Sequence, residues 1–312
     1  MSRCPVCSAQ APGRSLGRAC LVFRADHQLL ECPECGLVRF DPPPSDVELG
    51  QFYSASYFDF PRHREEGHGR AFAKKLAPIA PRGRLLDVGC ATGFFINGVR
   101  EASDWEVFGV EFGASAARYA REKLGLEVRH GSLEEAGYPE GYFDYIRINN
   151  VLEHVRDPRS LLLECRRIIA PGGRLALSVP NGPNDCREIV DFFRDEGVAP
   201  RSKNGHINFF AVKTLQILFG QAGFRVASAH TGSLKRGLRN FGLLPRKRDW
   251  KRDYYPMRIP EGPDRELRIP EVRKYPEAYY RWRQIQGDLL RVPGLHGWGL
   301  DFLFLLRPAG EQ

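Results

Sequence analysis

The sequence predicts an α/β fold with a doubly wound parallel sheet of seven strands. Three observations lead to that prediction. Short apolar segments alternate with longer amphipathic ones over residues 84–229, glycines follow the first apolar segment, and an acidic residue ends the second. Alternation of strand and helix patterns is typical of a parallel sheet covered by helices on both faces, and such sheets bind ligands where their strands end.

The predicted elements follow one another in a regular order along the chain. The segments of strand length are 84–88, 105–111, 126–129, 142–149, 174–179, 224–229 and 299–306. Helix patterns occupy residues 62–80, 93–101, 114–124, 158–169 and 213–222. A Pro-Gly-Gly sequence at 171–173 and a glycine at 223 close two of these helices, because both residue types favour the end of a helix.

Two C-P-x-C pairs lie near the N-terminus, Cys4 with Cys7 and Cys32 with Cys35. Two residues between thiolates let both sulfurs reach one ion, and two such pairs complete a tetrahedral Zn²⁺ site. We therefore predict a zinc ribbon over residues 1–40, with a hairpin of 19–23 and 28–31 between the pairs. A site with four sulfur ligands is structural rather than catalytic. Unrelated cysteines and a redox C-x-x-C motif are the alternatives.

The composition describes an ordinary globular protein, since 42% of the residues are apolar and 27% are charged. The formal net charge is +8, and residues 233–291 contain 16 Lys and Arg against 8 Asp and Glu, so the whole excess lies in this segment. We predict a basic, aromatic cap over residues 233–298 that recruits an anionic acceptor. A solvated, Arg-rich surface is the alternative.

The remaining boundaries come from composition. Residues 42–44 are three prolines, so we predict a linker and helices over 41–80, the ligand-binding domain over 81–232, and a final strand and tail over 299–312.

No apolar stretch approaches the ~18–20 residues that a membrane span needs. The N-terminus has no apolar signal core, so we expect a cytoplasmic location. Contact with a lipid-linked acceptor at a membrane surface stays compatible with the basic cap.

The first predicted strand runs into Asp87, Gly89 and Gly93, and the second ends in Glu111. Glycines at a strand-to-helix turn let a ligand approach the backbone, and a carboxylate at the end of the next strand can bind the ribose hydroxyls of an adenosine cofactor. A dinucleotide site would carry G-x-G-x-x-G, whereas this turn reads G-C-A-T-G-F. Asp87 would repel a pyrophosphate but attract an amino-acid ammonium, which favours S-adenosylmethionine.

With these motifs, residues 53–229 resemble the class I S-adenosylmethionine-dependent methyltransferases, which have a Rossmann-like sheet. The segments L-L-D-V-G-C-A-T-G, F-G-V-E and N-V-L-E-H-V-R-D-P carry the resemblance. The cysteine pairs ahead of them make the chain similar to bacterial sugar-modifying methyltransferases. Ala91 stands where a glycine is usual, and Ser132 where an Asp is usual. The resemblance implies that the cofactor is bound by Tyr57, Asp87, Gly89, Ala91, Gly93, Phe94, Glu111, Phe112, Ser132, Leu133 and Asn149.

Two histidines, His154 and His206, follow the fourth and fifth predicted strands, where the methyl group of the cofactor should point. A hydroxyl acceptor must lose its proton, and an imidazole with a pKa near ~6.5 is suited to take it. We predict that His154 or His206 is the catalytic base. In the alternative, His154 orders its loop and His206 bonds a buried backbone group.

The predicted function is methyl transfer to a small-molecule acceptor, through a hydroxyl of a saccharide, a nucleotide sugar or a related anionic metabolite. An RNA methyltransferase is the first alternative, because zinc modules and basic segments both occur in nucleic-acid binders. The basic segment has no recognisable RNA-binding motif, so nucleic acid is not the expected partner. A non-catalytic, methyltransferase-like assembly protein is the second alternative, and the intact set of Asp87, Gly89, Gly93 and Glu111 weighs against it.

Overall fold

A computed structural model of the chain describes residues 3–21, 26–55, 62–200, 202, 204–232, 243–245 and 301–310. The N-terminal elements are the strands β1 (Arg14–Cys20), β2 (Asp26–Glu31) and β3 (Val38–Asp41) and the helices α1 (Asp46–Ala55) and α2 (Arg62–Leu76). The next are β4 (Arg84–Val88), α3 (Phe94–Ala102), β5 (Glu106–Glu111), α4 (Ala114–Leu124), β6 (Glu127–His130), β7 (Phe143–Asn149), a 3-10 turn (Leu152–His154) and α5 (Pro158–Ile168). The last are β8 (Ile169–Pro180), α6 (Gly182–Glu196), β9 (Asn208–Phe209), α7 (Val212–Gln221), β10 (Phe224–Gly232) and β11 (Asp301–Pro308).

Seven strands form the central sheet, in the order β10-β11-β8-β7-β4-β5-β6. Strands β6, β5, β4, β7 and β8 run parallel to one another. Strand β11 lies between β8 and β10 and is antiparallel to both. The predicted seven-stranded α/β fold is confirmed, but the sheet is mixed rather than wholly parallel, because the last strand enters from the opposite end.

The core lies on both faces of this sheet. Side chains alternate along a strand, so Leu85 of β4 faces α2, α3 and α4, while its neighbour Leu86 faces α5 and α7. Both leucines are fully buried. The same alternation places Tyr145 and Ile146 of β7 on opposite faces of the sheet. This apolar sandwich holds the strand ends in register, and the candidate site lies at those ends.

A second sheet of four strands joins the N-terminal region to the central domain, in the order β1-β2-β3-β9. Its fourth strand, β9, belongs to the segment that follows α6, and it pairs with β3 through Val38 opposite Phe209. Strand β1 packs on α6, where an added Cβ at Gly17 would lie 2.8 Å from the ring of Phe193. The N-terminal strands are therefore packed against the segment that contains His206.

Several elements differ from the sequence prediction. The hairpin uses β1 and β2 rather than 19–23 and 28–31. Helix α6 and the strands β3 and β9 were not predicted. Strand β8 begins five residues earlier than predicted because its Pro-Gly-Gly segment continues the strand.

The predicted cap at 233–298 lies outside the described residues apart from 243–245, and Tyr57 lies outside them as well. No helix of the described segments has the length and apolarity needed to cross a bilayer.

Candidate active site

The glycine-rich turn between β4 and α3 has the backbone that a cofactor loop requires. Gly89 and Gly93 have φ angles of 72° and 78°, in the left-handed region that favours glycine. Added Cβ atoms would lie 2.4 Å from a methyl group of Val151 and 2.6 Å from one of Leu126. Ala91 also has a positive φ of 50°, so this substitution for the usual glycine is accommodated with some backbone strain.

Glu111, at the end of β5, holds this turn in place. Its Oε2 accepts a hydrogen bond from the N–H of Ala91 at 2.8 Å, and its Oε1 accepts one from Gly113 at 2.7 Å. Burial raises the pKa of Glu111, and the two N–H donors oppose that shift. Each carboxylate oxygen can accept a second hydrogen bond, so Glu111 keeps acceptor capacity for hydroxyl groups of a ligand.

Asp87, near the end of β4, is paired with a residue that the sequence reasoning missed. Its Oδ1 lies 2.7 Å from a guanidinium nitrogen of Arg147, which is directly opposite on β7. The guanidinium carbon also lies 3.7 Å from the ring centroid of Phe95. Burial raises the pKa of Asp87, and Arg147 opposes the shift. Asp87 therefore has a cationic partner within the protein, independent of any cofactor ammonium.

The other predicted cofactor residues lie at the same edge. Phe112 follows Glu111 and is 50% exposed, as expected for a ring that can stack on a base. Ser132 follows β6, and its hydroxyl accepts a hydrogen bond from the N–H of Glu135. Leu133 is buried beside it. Asn149 ends β7 with an exposed side chain, and Phe94 is buried at the start of α3. Tyr57 is the one member of the set outside the described residues.

A second group of polar side chains lies past the ends of β7 and β8. It consists of Glu153, His154, Asp185 and His206, and we call it the acid–imidazole cluster. The rings of His154 and His206 have centroids 4.9 Å apart. Nδ1 of His154 donates to the carbonyl of Gly205 at 3.1 Å, and Nδ1 of His206 lies 2.5 Å from Oδ2 of Asp185. The two histidines proposed as bases are thus brought into direct contact.

Glu153 lies between the two imidazoles. Its Oε1 is 3.8 Å from Nε2 of His154 and 3.7 Å from Nε2 of His206, both beyond hydrogen-bond distance. The side chain is 1% exposed, and neither of its oxygens has a hydrogen-bond partner among the described residues. The backbone holds this arrangement, because the carbonyl of Glu153 accepts a hydrogen bond from the N–H of Ile207.

The members of the acid–imidazole cluster differ in the direction of their pKa shifts. Burial raises the pKa of Glu153 to about 7. Burial also lowers the pKa of His154 to about 3, and the neighbouring His206 adds to that effect. Burial acts in the same direction on His206, but the carboxylate of Asp185 outweighs it and raises the pKa of His206. Of the two histidines, His206 is therefore the one with the higher affinity for a second proton.

The four predicted zinc ligands also come together. Sγ of Cys4 lies 3.6 Å from Sγ of Cys35, and Sγ of Cys7 lies 3.6 Å from Sγ of Cys32. A tetrahedral ion with Zn–S bonds of about 2.3 Å places its sulfurs about 3.8 Å apart, so the spacing fits zinc. The separation is far longer than a disulfide bond. Thr214 of α7 donates a hydrogen bond to the carbonyl of Cys35 at 2.7 Å.

The sequence profile of the family described as a methyltransferase domain matches residues 60–229, which is more than half of the chain. The chain belongs to this family. It carries a class I S-adenosylmethionine-dependent methyltransferase domain, as the sequence predicted, and S-adenosylmethionine is the cofactor that such a domain uses. The matched region includes the glycine-rich turn, Glu111 and all four members of the acid–imidazole cluster.

Curated relatives match about a third of this methyltransferase. A demethylmenaquinone methyltransferase from Listeria welshimeri is 30% identical over 131 residues, which are 38% of this chain and 56% of the relative. A ubiquinone biosynthesis O-methyltransferase from Alkalilimnicola ehrlichii is 36% identical over 104 residues, 31% of this chain and 42% of the relative. The chain thus spans about half the length of the curated relatives that it matches.

Solved methyltransferase structures also resemble the chain. An S-adenosylmethionine-dependent methyltransferase from Thermotoga maritima aligns with a TM-score of 0.45 and 20% identity, over 78% of this chain and 90% of that one. A geranyl diphosphate C-methyltransferase from Streptomyces coelicolor aligns with a TM-score of 0.46 and 12% identity, over 77% and 79% of the two chains.

Three residues of the site were missed by the sequence reasoning. Arg147 is a charged residue inside an apolar strand, in the same register as Asp87, and that contrast was a usable signal. Glu153 lies in the N-V-L-E-H-V-R-D-P segment, and its position next to His154 was its signal. Asp185 lies in the first turn of α6, whose start is marked by Pro183 and whose end is marked by Gly197. Recognising that helix would have placed Asp185 beside the end of β8.

Proposed function

We propose that this methyltransferase methylates a hydroxyl of a small-molecule acceptor, with the acid–imidazole cluster on the acceptor side. One observation carries the proposal. The cofactor residues follow β4, β5, β6 and β7, and the cluster follows β7 and β8, so both lie at the same edge of the sheet. Asn149 ends β7, and Glu153 and His154 belong to the 3-10 turn that follows it. A ligand at this edge therefore lies between the cofactor turn and the cluster.

The residues present fit S-adenosylmethionine. Gly89 and Gly93 keep the turn open to a ligand, Glu111 would bind the ribose hydroxyls, and Phe112 would cover the adenine. When bound, the cofactor would supply a methyl group on a sulfonium, whose carbon an acceptor oxygen would attack in line while the carbon–sulfur bond breaks and S-adenosylhomocysteine leaves. The protein then has to align the acceptor and keep water out, and alignment of this kind lowers a barrier by up to about 7–11 kcal/mol.

His206 is our choice for the group that takes the acceptor's proton when the acid–imidazole cluster itself holds no metal ion. Its Nδ1 is engaged with Asp185, which leaves Nε2 directed at the interior of the cluster. A carboxylate that holds Nδ1–H fixes the tautomer in which Nε2 is the proton acceptor. Nδ1 of His154 is engaged with the carbonyl of Gly205, so we assign His154 to positioning.

For the acceptor we propose a saccharide, a nucleotide sugar or a related anionic metabolite. The basic composition of residues 233–291 supports an anionic acceptor. One of the relatives described above is named a demethylmenaquinone methyltransferase and another a ubiquinone biosynthesis O-methyltransferase, so a phenolic or quinol hydroxyl belongs in the same screen. An RNA acceptor would show a steep loss of affinity with added salt, which a small metabolite would not.

We also propose that Cys4, Cys7, Cys32 and Cys35 hold one structural Zn²⁺. The sulfur spacing supports this, together with the turns that bring Ser8 N–H to the carbonyl of Cys4 and Gly36 N–H to that of Cys32, at 2.9 Å each. The site borders α7 through Thr214, and the strands that it anchors extend to β9, which follows His206 closely. The ion would thus stabilise the segment that carries His206.

The test is a screen of nucleotide sugars, glycans, phenolic acceptors and RNA for formation of S-adenosylhomocysteine, followed by variants assayed on the best acceptor. His206→Gln should lower kcat at least tenfold, since a general base typically contributes about 10²–10⁴-fold. Its affinity for S-adenosylhomocysteine should stay within about twofold, because the glycine-rich turn and Glu111 are untouched. Calorimetry measures that affinity.

His68→Gln provides the matched control, since His68 is a half-exposed histidine of α2 whose Nδ1 also lies near a carboxylate, Glu65, at 3.6 Å. It should keep wild-type kcat. An unchanged kcat in His206→Gln would refute the assignment of the base. Failure of every acceptor class, in protein that still binds S-adenosylhomocysteine, would refute the proposed acceptor.

A further inference from the structure

The acid–imidazole cluster has a second feature, which is the convergence of three potential metal ligands. One ligand atom each from Glu153, His154 and His206 lies within 4.8 Å of the other two. Metal–nitrogen and metal–oxygen bonds of about 2.0–2.2 Å place neighbouring ligand atoms about 3–4 Å apart. The distances from Glu153 Oε1 to the two Nε2 atoms, 3.7 and 3.8 Å, fall in that range.

The carboxylate of Glu153 requires an explanation in any case. It is 1% exposed, and both of its oxygens are without a hydrogen bond in the described part of the chain. A buried polar group without a partner is rare because it loses its hydration and gains nothing in return. Asp185 and Asp301 add negative potential at the same place. A cation at the centre of the cluster would compensate the carboxylate of Glu153.

Both histidines are oriented as metal ligands usually are. Nδ1 of His206 faces the carboxylate of Asp185, and Nδ1 of His154 faces the carbonyl of Gly205. An acceptor at Nδ1 keeps the proton on that nitrogen and directs the lone pair of Nε2 the other way, here towards Glu153. Carboxylate–histidine–metal and carbonyl–histidine–metal arrangements hold ligands in this manner in metalloproteins.

The backbone around the cluster keeps these ligands in place. Ile207 N–H donates to the carbonyl of Glu153 at 3.0 Å, and the side-chain amide of Asn208 donates to the carbonyl of Val155 at 2.7 Å. These two bonds tie the turn after β7 to the segment before α7. The ligands therefore come from two chain segments that the fold already cross-links, which limits the rearrangement that metal binding requires.

We propose that Glu153, His154 and His206 form a binding site for one divalent first-row transition ion, with Asp185 as the residue that positions His206. Two imidazoles and one carboxylate suit Mn²⁺, Fe²⁺ or Zn²⁺ and leave coordination positions for water or an acceptor oxygen. The role of this site rests on the proposed function, because the ion would bind the acceptor's hydroxyl and lower its pKa. A cation and a proton use the same lone pair on His206, so the ion would replace His206 as the activating group.

The experiment titrates Mn²⁺ into the full-length, zinc-loaded protein and follows the EPR signal of the free ion. Mn²⁺ is chosen because thiolates prefer zinc, so the cysteine site does not compete for the probe. The wild-type protein should bind one Mn²⁺ per chain. Glu153→Gln and His206→Gln should each weaken binding at least tenfold, and Asp185→Asn should weaken it about 10–100-fold by releasing His206. His68→Gln should bind as the wild type does.

Thermal unfolding of each variant, measured without Mn²⁺, identifies any variant that fails to fold. Two ligand variants are included so that the test can still be made if one of them does not fold. An unchanged EPR signal for wild-type protein with equimolar Mn²⁺ would overturn the proposal. Wild-type affinity in a folded Glu153→Gln or His206→Gln protein would overturn it as well. The titration contains neither cofactor nor acceptor, so its result is independent of whether the proposed methyl transfer is correct.

Discussion

The buried ion pair between Asp87 and Arg147 leads to a prediction that can be worked out from the structure. The perturbation is Arg147→Met, which keeps an unbranched apolar stem against the ring of Phe95 and removes the charge. The side chain of Asp87 is 2% exposed and that of Arg147 is 17% exposed, and Oδ1 of Asp87 lies 2.7 Å from a guanidinium nitrogen of Arg147. Asp87 would then be a buried carboxylate beneath the cofactor turn without its guanidinium partner.

Removing one partner of a buried pair costs about 3–5 kcal/mol, because the remaining charge stays desolvated. The contact between the guanidinium and Phe95 adds about 0.5–2 kcal/mol, part of which a Met sulfur on the ring restores. We therefore expect Arg147→Met to lower the free energy of unfolding by about 3–5 kcal/mol, a large share of the ~5–15 kcal/mol available to a typical domain.

Urea denaturation at neutral pH measures this loss in Arg147→Met, Asp87→Asn and the double variant. The double variant should be more stable than Arg147→Met, since replacing both members of a buried pair is often close to neutral. Arg84→Met is the matched control. Arg84 lies over the ring of Tyr142 at 4.3 Å and near Glu106 at 3.6 Å, but its side chain is 45% exposed, so the loss should stay within about 1 kcal/mol.

Two results would refute the reasoning. One is a loss below about 1 kcal/mol in Arg147→Met, which would mean that Asp87 does not depend on this partner. The other is a double variant no more stable than Arg147→Met, which would place the loss in packing around Phe95 rather than in the charge of Asp87.

Two further predictions concern the glycine-rich turn and the cysteine site. Gly89→Ala should lose about 1–3 kcal/mol more stability than Gly172→Ala, because both glycines have a φ of 72° but only at Gly89 would a Cβ meet a neighbour within 4 Å. Urea denaturation compares the two, and equal losses would show that Val151 simply moves aside. Refolding with Co²⁺ should give thiolate-to-cobalt absorption in the wild type and in Cys186→Ala, and Cys32→Ser should weaken it. No such absorption in the wild type would contradict the zinc proposal.

Much of the fold was predictable because its determinants are local. The pattern of apolar side chains placed β4 at residues 84–88 and α4 at 114–124, the same bounds that the structure has. Hydrophobic periodicity and turn residues determine structure over only a few neighbouring positions, so they can be recognised in a single sequence. Helix α6 was not predicted because its Asn-Gly-Pro start is equally typical of a turn. The two-residue strand β9 carries no periodic signal, and it exists because β3 offers it a partner.

The sequence by itself determined the α/β class, the order along the chain of the seven strands of the central sheet, the glycine-rich turn with Glu111 after it, and the two cysteine pairs. Only the tertiary structure decided which groups meet. It paired Asp87 with Arg147, 60 positions away, and brought His206 to His154 and Glu153 through a segment that also pairs with the N-terminal strands. The physical reason is that charge compensation and ligand geometry depend on side chains from distant strands. Their spacing is set by the register of the sheet, which local patterns do not specify.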